Sequence, residues 1–188
     1  MRHFLLIMLL VLTSIIGYAQ KFEITSNGVY NKEDHSKSFV VIEAQGKTAS
    51  EIKDVLVNTL SKMYAHPDKI ISVVGDNVIV VNGSAPTLFT EYGTHKGFNG
   101  STSYTTDYSV DYSYRIEIKD NRIRVNAPTF SNLYYTLNYL GKHKTDGPFG
   151  QADFFDAVQA AKASSKVDKM MNDFLNSISV GLNSTDDW

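Results

Sequence analysis

Between Tyr104 and Lys119 the chain alternates without a break. The even positions are Tyr, Thr, Tyr, Val, Tyr, Tyr, Ile and Ile, and the odd positions from Thr105 onward are all polar or charged. Side chains on a strand point to opposite faces in turn, so this pattern requires a long antiparallel strand with one buried face and one wet face. Asp120-Asn121 supplies a turn, and Ile123, Val125 and Ala127 alternate against Arg122, Arg124 and Asn126 on the return strand. The rest of the chain must cover one side of this hairpin.

The cover is helical. Thr48 and Glu51 form a capping box, in which each side chain satisfies a backbone donor orphaned at a helix start. Ile52, Val55, Leu56, Leu60, Met63 and Tyr64 then make one apolar stripe, which Pro67 ends. A second helical region runs from about Asp153 to Leu182, as one helix or as two joined near Ser164-Ser165. Further strands are expected at residues 39–44 (FVVIEA), from Lys69 to Gly75 and from Asn77 to Gly83, the last two joined at Gly75-Asp76, with another at 87–92.

Gly93 to Ser103 (GTHKGFNGSTS) reads as a flexible glycine and serine loop. Ser131 to Gly141 has Leu133, Leu137 and Leu140 at helical spacing between a serine start and a glycine stop, which predicts a short inserted helix. Lys21 to Ser38 is polar and turn-rich, with room for a short edge strand. The expected fold class is therefore α+β: an antiparallel sheet with helices packed on one face and the other face open, in the order β-α-β-β-β-β-α. A single domain is expected over 20–188, with its core at about 39–130 and 153–182 and an insertion at 131–150.

Residues 1–19 are expected to be a cleavable secretory signal. Arg2 and His3 precede an apolar run from Phe4 to Ile16. Thirteen residues at ~1.5 Å each fall short of the ~30 Å hydrocarbon core, so the run suits a signal better than a spanning helix. Gly17 and Ala19 place the cut before Gln20. The chain has no cysteine, which excludes a lipoprotein anchor, disulfides, thiol catalysis and cysteine-ligated zinc. The expected location is periplasmic or cell-surface, with no transmembrane segment after cleavage. Net charge is −2 and becomes −3 once Arg2 is removed, with both signs interspersed and no basic face for nucleic acid.

Three segments carry a family likeness: FVVIEAQGKTASEIKDVLVNTLSKMY, HPDKIISVVGDNVIVVNGSA and YSYRIEIKDNRIRV. Over Phe39 to Val125, with a C-terminal helix in the expected place, the chain resembles the domain of unknown function with a TATA-binding-protein-like (TBP-like) fold found in secreted proteins of the Bacteroidetes. The resemblance implies a half-saddle of antiparallel sheet backed by helices, with no activity to transfer. Nor does it imply DNA binding. Odd residues of the long strand, beside Arg122 and Arg124, give a mixed-charge open face without the Phe or Leu wedge that minor-groove binders insert.

Catalytic signatures are sparse. His35, His66, His95 and His143 fall at element ends or in connections and are never paired at i, i+4. There is no G-x-S-x-G elbow, phosphate-binding G-x-x-x-x-G-K-[ST] loop or EF-hand spacing. Asp107 and Asp111 share the wet face, yet at ~3.3 Å per residue they stand roughly 13 Å apart, wider than a glycosidase pair. The sequence thus calls for no catalytic residue, no metal and no cofactor.

Tyrosine is the exception to this blandness. Eight of the eleven lie between Tyr92 and Tyr139, and tyrosine joins a broad apolar face to a polar tip that needs a partner when buried. Either the strand tyrosines roof the core, or Tyr92, Tyr104, Tyr108, Tyr135 and Tyr139 form a ligand or partner surface. The expected function is a non-catalytic binding module of the cell envelope, with a glycan or an envelope protein as partner. The alternative is a hydrolase or lyase acting on envelope or dietary polymers.

Overall fold

The computed structural model of the chain describes residues 21–98 and 100–184. The expected signal and its cleavage point before Gln20 lie outside the described residues. The alternating segment is the middle of strand β6 (Gly100–Lys119), which forms a hairpin with the equally long β5 (Val78–Gly97), from Val78↔Glu117 to Gly97↔Gly100. Near the closed end of the fold, β7 (Arg122–Asn126) pairs with β6 and with β3 (Phe39–Glu43), while β4 (Ile71–Val74) pairs with the start of β5. Further along, the same edge of β6 is taken by β8 (Thr129–Tyr139), which in turn pairs β9 (Lys142–Phe149). Two half-sheets therefore share β5 and β6: a core half in the order β3-β7-β6-β5-β4 and an arm in the order β9-β8-β6-β5.

Helices α1 (Ala49–Met63), α3 (Gln151–Ala160) and α4 (Ser164–Asn183), with the single turn α2 (Pro67–Ile70), complete the layer. Ile52, Leu56 and Leu60 of α1 and Val167, Met171, Phe174 and Ile178 of α4 are buried with Ile79, Val81, Tyr114, Ile116, Ile118, Ile123 and Val125 of the sheet. Tyr114 stacks on Phe174 at 4.0 Å. The capping box forms as the spacing requires: Glu51 N donates to Thr48 Oγ1 at 3.3 Å, and Thr48 N donates to Glu51 Oε2 at 2.7 Å. The Asp120-Asn121 turn also docks here, with Ala49 N donating to Asp120 Oδ1 and Gly46 N to Asn121 Oδ1. One short turn thus closes the β6–β7 hairpin and caps α1.

A separate hairpin of β1 (Phe22–Thr25) and β2 (Gly28–Asn31) lies against α4. Its outer backbone edge is satisfied by side chains of that helix. Asn172 Oδ1 accepts from Lys21 N at 2.6 Å and Phe22 N at 2.9 Å, its Nδ2 donates to Phe22 O at 2.8 Å, and Asp168 Oδ1 accepts from Ile24 N at 2.7 Å. Residues four apart on one helix face do the work of a neighbouring strand.

The α+β class and the one-sided helix layer are as expected, but three local expectations need correction. The loop of 93–103 is strand on both sides of a tight turn at Phe98. The helix of 131–141 is instead β8, and 142–149 adds β9. The strand expected from Lys69 begins at Ile71, after α2, because Pro67 starts a helical turn as well as ending α1. The C-terminal region is two helices, parted near Ser164, which is one of the two arrangements expected.

Where arm meets core, the sheet is crossed by a line of bulges. Residues 86–88 of β5 stand opposite Ser109 alone, Asn132 and Leu133 of β8 opposite Val110 alone, and Gly147 and Pro148 of β9 opposite Tyr134 alone. Each bulge holds a residue in the left-handed region, with φ of 52° at Thr87, 50° at Asn132 and 129° at Gly147. Only β6 crosses the line without an inserted residue.

Candidate binding surface on the sheet arm

The register of β6 against β8 pairs Tyr104 with Tyr139 and Tyr108 with Tyr135. Residues four apart share a face on a strand, so all four rings lie on the side of the sheet that carries the helices further down. The helix layer reaches only the base of this face, where Phe154 of α3 meets Phe130 at 4.3 Å. Tyr104, Tyr135 and Tyr139 lie outside the buried core cluster. An aromatic row crosses the whole arm: Phe89 stacks on Tyr108 at 4.6 Å, Tyr108 tilts against Tyr135 at 6.5 Å, and Tyr135 stacks on Phe149 at 5.2 Å.

Two carboxylates fix the row. Tyr108 Oη donates to Glu91 Oε2 at 3.0 Å and Tyr135 Oη to Asp146 Oδ2 at 3.3 Å, while Lys144 Nζ stands 3.6 Å from Asp146 Oδ2. Glycines let rings lie flat on the neighbouring strand. A Cβ at Gly93 would fall 2.2 Å from Tyr104 Cζ, and one at Gly83 would fall 2.4 Å from Tyr112 Cζ. Gly93, expected in a flexible loop, makes room for an aromatic side chain within a strand.

Desolvation, and then the hydrogen bond to Glu91, push the Tyr108 hydroxyl up to about 12. Burial likewise raises Tyr64, which also meets Tyr112, and raises Tyr114 well above the ordinary range. A raised tyrosine pKa means that the fold favours the neutral phenol. Its contribution is complete below the unfolded value near 10 and is lost as pH rises through the folded value. The denaturation midpoint is therefore expected to fall between pH 10 and 12. Tyr108→Phe should remove part of that fall, with Tyr64 and Tyr114 accounting for the remainder. An unchanged midpoint over this range would contradict the assignment.

The fifth tyrosine stands apart. Tyr92 is 80 % exposed and sits in register with Thr105 on the opposite, wet face. That face carries a polar chain across four strands: Thr90 Oγ1 donates to Asp107 Oδ1 at 2.6 Å, Asn138 Nδ2 donates to Asp107 Oδ2 at 2.8 Å, and His143 Nδ1 meets Asn138 Oδ1. Asp111 is engaged separately by Asn132. Glu117 is held below the usual carboxylate range, first by Asn126 and then by Arg115 and Arg124. The open face of the core half is of mixed charge, as expected, but β3 adds Phe39, which lies under Arg124 at 4.1 Å.

Among the described residues no group of three His, Cys, Asp or Glu is placed to hold a metal ion. A concavity of about 820 Å³ between α1 and α4 is lined by Asp173 as its only acid, together with Lys47 and Lys62. No helix of the described residues is long and apolar enough to cross a membrane. Sequence reasoning missed Glu91 and Asp146, which anchor the aromatic row, and Phe89 and Phe149, which complete it. The signal for the first was its alternation with Thr90 and Tyr92.

The chain is an α+β protein with a one-sided helix layer and a two-sided sheet arm. No protein-family model matches it, and no curated protein does. Among solved structures it is similar to a TBP-like protein from Parabacteroides distasonis, at 15 % identity and a TM-score of 0.45, over 78 % of this chain and 92 % of that one. It is also similar to a DUF4468 family protein from Bacteroides ovatus, at 11 % identity and a TM-score of 0.41, over 80 % and 87 % of the two chains.

Proposed function

We propose that this is an exported cell-envelope binding module that takes a glycan on the tyrosine face of the arm. The observation carrying the reading is the register of Tyr104 with Tyr139 and of Tyr108 with Tyr135, which sets four rings on one face of the arm, with Tyr104, Tyr135 and Tyr139 outside the buried core. The apolar C–H face of a sugar ring packs on such rings. Glu91 and Asp146, already accepting one phenol each, keep lone pairs for sugar hydroxyls. Export rests on the apolar run after Arg2 and the small residues before Gln20.

The test is an envelope-glycan binding screen on protein purified after export, whose N-terminus is expected at Gln20. Tyr104→Ala with Tyr139→Ala should then weaken the recovered ligand by about 2 kcal/mol, roughly thirtyfold, while thermal melting shows the fold intact. Full affinity in the folded double variant would reduce these tyrosines to packing.

A further inference from the structure

Both hairpins of the arm end at its far extremity, and each turn offers an apolar side chain to solvent. Phe98 is fully exposed at the β5–β6 turn, and Leu140 is 69 % exposed at the β8–β9 turn. Leu140 also has a φ of 50°, followed by Gly141 at 73°. A two-residue turn with positive φ at both positions favours Asn-Gly, and a leucine there is strained. Neither the core nor the turn requires an apolar residue at this place.

Charge is segregated at the same end. Beyond the level of Glu91, residues 92–105 and 138–143 contain Lys96 and Lys142 with His95 and His143, and no acid, in a chain whose net charge is −2. The first tip extends four residues, about 13 Å, past the second. Seated obliquely on a flat surface, the arm would bring Phe98 and Leu140 to it together, with the lysines just behind.

We propose that the arm's tip docks on the surface of an anionic lipid bilayer, Phe98 and Leu140 entering the boundary between headgroups and acyl chains and the lysines meeting the headgroups. Shallow insertion of a few apolar side chains is weak by itself, and the basic residues supply the second attraction that retention needs. This site is distinct from the tyrosine face and does not depend on its ligand.

The experiment is co-sedimentation with vesicles of phosphatidylcholine alone or mixed equally with phosphatidylglycerol, every variant being compared in the same background. The wild type should partition onto the mixed vesicles at least tenfold more strongly than onto phosphatidylcholine, and less so at 0.5 M salt. Phe98→Ser with Leu140→Asn should weaken that binding at least tenfold. Leu140→Asn alone should raise the melting temperature, since asparagine suits the turn, which separates lost docking from lost folding. Arg122→Glu, at the opposite end of the sheet, should leave binding unchanged. Equal binding by the double variant would overturn the proposal. So would failure of the wild type to partition onto the mixed vesicles, which would leave the exposed pair to a protein partner.

Discussion

Replacing Asn172 by leucine is expected to cost the fold about 4 kcal/mol, a large share of the ~5–15 kcal/mol that holds a domain of this size together. The side chain is only 8 % exposed and every polar atom it has is used. Leucine fills the volume but leaves the amides of Lys21 and Phe22 and the carbonyl of Phe22 facing an apolar side chain. Each such orphan costs ~1–3 kcal/mol when buried. The loss should be local at first. Hydrogen exchange should show the Phe22 and Ile24 amides unprotected while those of β6 and β7 stay slow, because the β1–β2 hairpin has no other strand to lean on. Chemical denaturation checks the total, and a loss below about 1 kcal/mol would mean that the hairpin is held by its apolar side chains alone.

A comparable effect, about 3 kcal/mol, is expected from Gly181→Val at the crossing of α1 and α4. A Cβ at position 181 would lie 2.2 Å from Thr59 Oγ1, 2.7 Å from its Cγ2 and 3.0 Å from its Cβ. Rotating the threonine cannot clear all three, so the helices must move apart and loosen the packing of Ile178 and Leu182 behind them. Valine's better helix propensity offsets only a few tenths of a kcal/mol of this. Adding Thr59→Ala removes the two nearest atoms and should restore about half the loss, an interaction that a double-mutant cycle reads directly. Strict additivity of the two substitutions would place the damage elsewhere than this contact.

The legible parts of the fold were those where one face is buried and the other is wet. Tyr114, Ile116 and Ile118 are buried while Arg115, Glu117 and Lys119 reach solvent, as written, and Thr48, Glu51 and Asp120-Asn121 do what their chemistry demands. In the arm both faces meet solvent in part, so Thr94, His95 and Lys96 carry no apolar rhythm, and their strand could not be told from a loop. β8 misled for another reason. Leu133 and Leu137, four apart, share a face on a helix and on a strand alike, and the bulge at Asn132 breaks the alternation that would have decided between them. The pairing of Tyr104 with Tyr139 depends on that bulge, and no local pattern announces it. The candidate tyrosines were therefore visible as a set of residues but not as a surface, and the separation of Tyr92 from the other four was not visible at all.

The line of bulges has a mechanical consequence. Because β5, β8 and β9 each bend at an inserted residue while β6 runs through, the arm is fixed to the core by one straight member, with the others able to yield in twist. A load applied at the tip along the strands is shared by the β5–β6 ladder as shear, so that its hydrogen bonds resist together. A load across the sheet instead turns the arm about β6, where the kinked strands offer less resistance. Such an arm would be stiff to pulling and compliant to torsion.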